Sequence, residues 1–136
     1  MNPVVHFEMP ASQRDRMVEF YKKAFGWEAN VLGPEMGEYV VVMTTETDDK
    51  TNQPTKPGAI NGGFYKKTAD MPLQHPSLVI AVDDIKQHIK IVEGAGGKVL
   101  GEPMEIPGVG LYVSIEDTEG NRVSMLQANR QMGGHA

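Results

Sequence analysis

Residues 4–66 and 77–128 of this sequence follow one plan. Each stretch reads strand, helix, then three strands, and a repeat of that kind outranks any single motif as a fold signal. Spacing agrees between the two: Gly26 follows His6 by 20 residues and Gly97 follows Ser77 by 20. Near the ends of the two stretches, Gly62 follows Gly58 by 4 residues and Ser124 follows Gly120 by 4. These offsets equate His6 with Ser77, and Gly62 with Ser124. The 136 residues then form a single domain of two βαβββ modules, the first over about 1–66 and the second over about 77–128. A polar linker over 67–76 joins them, and a frayed tail over 129–136 closes the chain.

Local patterns fill in the plan. In Val4–Met9, Val5, Phe7 and Met9 alternate with His6 and Glu8, as in a strand with two unlike faces. Ser12 to Asp15 has the form of a capping box, and Met17, Phe20, Tyr21, Ala24 and Phe25 recur behind it at helical spacing up to Gly26. Strands are expected over 27–32, 38–45 and 59–66, with 45–57 an exposed loop. Phe20, Phe25 and Trp27 are expected in the core. In the second module, Ser77–Val82 is a strand and Asp83-Asp84 cap a helix whose stripe is Ile85, Ile89 and Val92. Strands follow over 98–101, 110–116 and 122–127, the last two joined by the turn Asp117–Asn121. The fold class is therefore α+β, with two mixed sheets curling around a shared, cup-shaped cavity.

Composition removes several function classes. Thirteen Lys and Arg against eighteen Asp and Glu give a net charge of −5, with the basic residues scattered, so no nucleic-acid stripe is expected. No apolar run approaches the roughly 20 residues a bilayer span needs, and residues 1–6 have no signal-peptide form. Zero cysteines exclude disulfides, a thiolate nucleophile and Cys-ligated metals. Phosphate-loop, dinucleotide, HExxH and GxSxG motifs are absent. A cytoplasmic protein is expected.

Val5–Ala11, Phe20–Trp27, Ile60–Gly63, Ala81–Asp84, Ile106–Gly110 and Asp117–Asn121 together resemble the vicinal oxygen chelate superfamily, the glyoxalase, bleomycin-resistance and dioxygenase group. The resemblance covers nearly the whole chain and implies βαβββ modules paired into a cup, often across a homodimer. It also implies a possible divalent metal, which in metal-dependent members is held by four side chains, usually His and Glu, from the first and last strands of each module. Carried onto this sequence, those positions are His6, Gly62 (or Gly63 if the register slips), Ser77 and Ser124. Glycine offers no ligand and neutral serine hydroxyls are poor ones for such cations, so His6 is the one retained metal position.

Alternation places His6, Glu8, Gly62, Phe64, Ser77, Val79, Arg122, Ser124 and Leu126 on the cavity faces. His6 and Glu8, two residues apart on one strand face, are the candidate acid/base pair. Phe64, Ser77, Arg122 and Ser124 are candidate ligand contacts, Arg122 through its planar fork. Asn61 and Gln127 are candidate amide contacts. His75 reads as displaced from the metal face, His88 as a packing residue on the second helix, and His135 as a tail residue. The expected function is binding or sequestration of a small organic molecule in the cup, with a degenerate metal site. The alternative is a glyoxalase-type lyase or dioxygenase-type enzyme working through His6 and Glu8, with or without a divalent metal.

Overall fold

The structure is a computed structural model and describes residues 1–71 and 73–129. Its elements are β1 (Val4–Ala11), α1 (Arg14–Phe25), β2 (Glu28–Val31), β3 (Val40–Met43), β4 (Asn61–Lys66), β5 (Ser77–Ala81), α2 (Ile85–Gly94), β6 (Lys98–Ile106), β7 (Gly110–Glu116) and β8 (Arg122–Ala128). A short 3-10 turn at Pro34–Met36 precedes β3. The chain is α+β and divides into two compact units, His6–Pro76 and the stretch from Ser77 onward joined by Met1–Val5. No helix among the described residues is long and apolar enough to cross a membrane. The expected frayed tail, with His135, lies beyond Asn129 and outside the described residues.

Both units have the same strand pattern, which is the duplication seen in the sequence. In His6–Pro76 the strands run β2-β3-β4-β1, with β1 and β4 parallel and the other neighbours antiparallel. From Ser77 the order is β6-β7-β8-β5, with β5 and β8 parallel and the rest antiparallel. The last strand of each module therefore pairs with its first, placing first-strand side chains directly beside last-strand ones. The expected short strand at 98–101 is longer, because β6 continues to Ile106 through a register shift between Leu100 and Met104. Gly101, with φ of 100°, sits inside that irregularity.

One face of each unit carries its apolar core and its helix. In His6–Pro76 the buried residues Ala11, Val40, Val42 and Phe64 pack with Phe7, Met9, Met17, Val18, Tyr21 and Trp27. Tyr21 stacks on Trp27 with ring centroids 4.6 Å apart. Phe20 and Phe25, expected in the core, are instead 56% and 65% exposed. The helix turns Met17, Val18 and Tyr21 to the sheet and leaves those two rings on its outer side. In the unit from Ser77, Val82, Ile85, Val113, Ile115 and Met125 pack with Ile89, Val92, Val99, Leu111 and Val123. Fully burying Ile85, which is 0% exposed, contributes about 1.5–3 kcal/mol.

The two helix starts differ. α2 begins as expected: Asp84 is its N-cap and accepts from Gln87 N at 3.2 Å. The Gln127 side-chain oxygen accepts the Ile85 N–H at 2.9 Å, so that amide is committed to the helix start. α1 departs from the expected capping box, because its N-cap is Gln13, whose side chain makes no capping hydrogen bond. Strand β1 runs as far as Ala11, which leaves Ser12 one residue too early to cap. Asp84→Ala is accordingly expected to cost about 1 kcal/mol. Ser12→Ala is expected to stay within about 0.5 kcal/mol of wild type. Urea unfolding of both variants checks the pair, and equal losses would contradict it.

Candidate functional site

The helix-free face of β1 carries His6 and Glu8, because Phe7, Met9 and Ala11 take the core side. Strand register then decides which β4 residues join them. His6 lies opposite Asn61, Phe7 opposite Gly62, Glu8 opposite Gly63 and Met9 opposite Phe64. Gly62 and Phe64 consequently face the helix, contrary to the expected cavity placement, and Phe64 is 1% exposed in the core. A Cβ at Gly62 would collide with the Phe7 ring. A one-residue slip reverses every side chain of a strand, and the spacing between glycines had counted from the wrong origin.

The second unit supplies the true equivalence. Val79 lies opposite Ser124, just as Glu8 lies opposite Gly63, so Ser124 corresponds to Gly63. The slipped register raised for the family's second ligand position is the one the chain adopts.

At Gly63 a side chain has been replaced by a neighbour's. A Cβ there would collide with the ring and hydroxyl of Tyr39, which reaches across from the residue just before β3. The Tyr39 hydroxyl donates to Glu8 Oε2 at 3.2 Å. The same hydroxyl oxygen lies 3.2 Å from His6 Nε2. Since the single phenolic proton is given to the carboxylate, His6 Nε2–H is the donor in the second bond. Glu8 is buried at 8% exposure. Burial lowers the His6 pKa from the usual 6.5 to about 4, because a desolvated imidazolium is disfavoured. His6 is thus neutral near pH 7. Asn61, beside His6, is spent on structure: its Oδ1 accepts from Thr44 N and its Nδ2 donates to Thr47 Oγ1, each at 2.9 Å.

In the unit from Ser77, the helix-free face carries a row of hydroxyls. Ser124, 0% exposed, is 2.8 Å from the Tyr112 hydroxyl and 3.2 Å from Ser114 Oγ. Arg122 donates to Ser114 Oγ through Nε at 3.3 Å and Nη2 at 3.1 Å. Ser77, Val79, Arg122, Ser124 and Leu126 share this face, as alternation predicts, Val79 and Ser124 as direct neighbours. Ser77 is buried and its hydroxyl has no hydrogen-bond partner among the described residues. His75 is exposed ahead of β5, and His88 is half-buried on α2.

Tyr39 is the residue that sequence reasoning missed. Its signal was present: Gly37-Glu38-Tyr39-Val40 and Gly110-Leu111-Tyr112-Val113 are a repeated Gly-x-Tyr-Val. Val41 pairs with Gly63 and Ser114 with Ser124, so Tyr39 and Tyr112 occupy matching positions two residues earlier.

The four positions implied for a metal are thus His6, Gly63, Ser77 and Ser124. They do not fit a divalent cation. One offers an imidazole, one has its side-chain space filled by a phenol, and two are neutral hydroxyls, of which Ser124 is already bonded twice. No group of three or more His, Asp or Glu is placed to hold a metal among the described residues.

Comparison with known proteins agrees with this architecture. The family model described as Glyoxalase/Bleomycin resistance protein/Dioxygenase superfamily matches residues 4–125. A protein of Didymella fabae called glyoxylase-like domain-containing protein is 32% identical over 117 residues, covering 84% of each chain. A Streptomyces coelicolor methylmalonyl-CoA epimerase structure aligns at 15% identity with a TM-score of 0.68, covering 98% of this chain and 99% of that one. The Mycobacterium tuberculosis methylmalonyl-CoA epimerase aligns at 12% identity and TM-score 0.63, covering 93% and 88% of the two chains. At such identities these structures are alike in fold.

Proposed function

We propose, from the premise that the chain belongs to the Glyoxalase/Bleomycin resistance protein/Dioxygenase superfamily, that it binds a small organic molecule without a divalent cation. The polar anchor is the His6–Tyr39–Glu8 group on the helix-free face of β1. The observation that carries the reading is Gly63, where the family's last-strand ligand is missing and the Tyr39 phenol fills its space. A neutral imidazole, a phenol and a carboxylate in hydrogen-bonded sequence make a recognition surface for a polar group on an otherwise apolar ligand. Sequestration, as in resistance proteins of this fold, needs no more than that. Its proposed setting is the cytoplasm, as a homodimer.

The test is metal content by elemental mass spectrometry on untagged protein purified without chelator and re-exposed to Ni, Zn, Fe and Mn. The expected result is no retained metal under any condition. Near-stoichiometric metal that disappears in His6→Ala would overturn the reading.

A second reading has its own observation. The hydrogen-bonded path from His6 through Tyr39 to Glu8 is also a route for proton transfer, as an acid/base enzyme of the glyoxalase type would use. The two readings part on His6→Ala, which would abolish turnover in an enzyme and only weaken binding in a sequestering protein.

A further inference from the structure

We propose that Tyr39 is the specificity-determining residue of this site: it fixes His6 in the Nε2–H tautomer, so that Nδ1 is the acceptor offered to a ligand hydroxyl or N–H. This deepens the metal-independent reading above and rests on it. The direction of the hydrogen bonds carries the argument. Glu8 Oε2 can only accept, so the phenolic proton goes to it and the phenolic oxygen is left to accept from His6 Nε2. A neutral imidazole with a proton on Nε2 has its lone pair on Nδ1. No hydrogen bond to Nδ1 exists among the described residues.

The duplication supports this independently. Tyr112 occupies the position in β7 that Tyr39 occupies just ahead of β3, and its hydroxyl lies 2.8 Å from Ser124 Oγ. In the first module the matching residue is Gly63, with no side chain to stop the phenol. Tyr39 therefore passes over β4 and reaches β1, where it touches both His6 and Glu8. Gly63 and Tyr39 act as a pair: the glycine opens the path and the phenol uses it. A metal ligated through Nδ1 would gain no second ligand from Gly63. A ligand donor needs only Nδ1. The ligand class this selects carries a hydroxyl or an amide or amine N–H next to its apolar body.

The experiment is long-range 1H–15N correlation spectroscopy of 15N-labelled protein, with the His6 signals identified by their loss in His6→Gln. Wild type is expected to show the Nε2–H pattern alone. Tyr39→Phe removes the partner and is expected to convert His6 to a mixture of both tautomers. Gly63→Ser copies the Ser124 arrangement, displaces the phenol and is expected to give the same mixture, which keeps the test decisive if Tyr39→Phe fails to fold. An Nδ1–H pattern in wild type, or an unchanged pattern in whichever variants fold, overturns the proposal. Because the spectra are read without metal or ligand, this failure is distinct from metal retention, which overturns the functional reading instead.

Discussion

Phe64→Ala is expected to lower the unfolding free energy by about 3–5 kcal/mol, the range for truncating a buried aromatic ring. Domains of this size have only about 5–15 kcal/mol in all. The ring is 1% exposed and packs with Ala11, Val40 and Val42 under α1. Its centroid is 5.6 Å from that of Tyr21, at a tilt of 44°, so truncation opens a void bounded by strand side chains and a helix that cannot both close on it. Urea unfolding followed by tryptophan fluorescence measures the change, since Trp27 belongs to the same cluster. The midpoint should fall with little change in slope. A loss below about 1 kcal/mol, the level of an average substitution, would mean that the ring is not packed as described. The same variant separates core from site: the protein that remains folded should keep its ligand affinity, because Phe64 faces the helix and not the His6 face.

The opposite assignment of Phe64 in the sequence shows where legibility ended. Alternation along β1 was readable because Phe7 and Met9 are apolar and His6 and Glu8 are not. Along β4 the run Asn61-Gly62-Gly63-Phe64 has two glycines at its centre and no contrast to set the phase. Only pairing settled it, through Glu8 opposite Gly63. In β8 the phase was legible, because Val123 and Met125 flank Ser124, and there the predicted face is the observed one. Phe20 and Phe25 failed for a related reason. Helical spacing permits several apolar stripes when Phe20, Tyr21 and Phe25 are all candidates, and the stacking of Tyr21 on Trp27 selected one. Tyr39 lay in plain view, yet its role depends on a glycine 24 residues later, and only tertiary structure joins the two.

His6 should make the protein more sensitive to acid than its composition suggests, and His6→Gln should remove that sensitivity. Burial lowers the folded-state pKa to about 4 from the usual 6.5. In this interval the unfolded chain binds a proton at His6 while the folded chain does not, so stability falls as pH drops from 6.5 towards 4. The slope is at most about 1.4 kcal/mol per pH unit for one group. The whole interval therefore costs no more than about 3.5 kcal/mol, and less to the extent that water reaches the half-buried ring. The groups facing His6 within its unit are Tyr39 and Glu8. Both remain in His6→Gln, so the difference between the two proteins isolates the imidazole. Asp48 and Asp117 have pKa values lowered below 3.8, by hydrogen bonds led by the backbone of Thr51 and the side chain of Asn121 respectively. Their contributions are present above 3.8 and lost below it, outside the His6 window. Urea midpoints measured above 6.5 and again near the acid end of the window should converge on, or cross in favour of, His6→Gln as pH falls. A gap independent of pH would mean that His6 titrates normally in the folded protein, and that the imidazole beside Tyr39 is open to water.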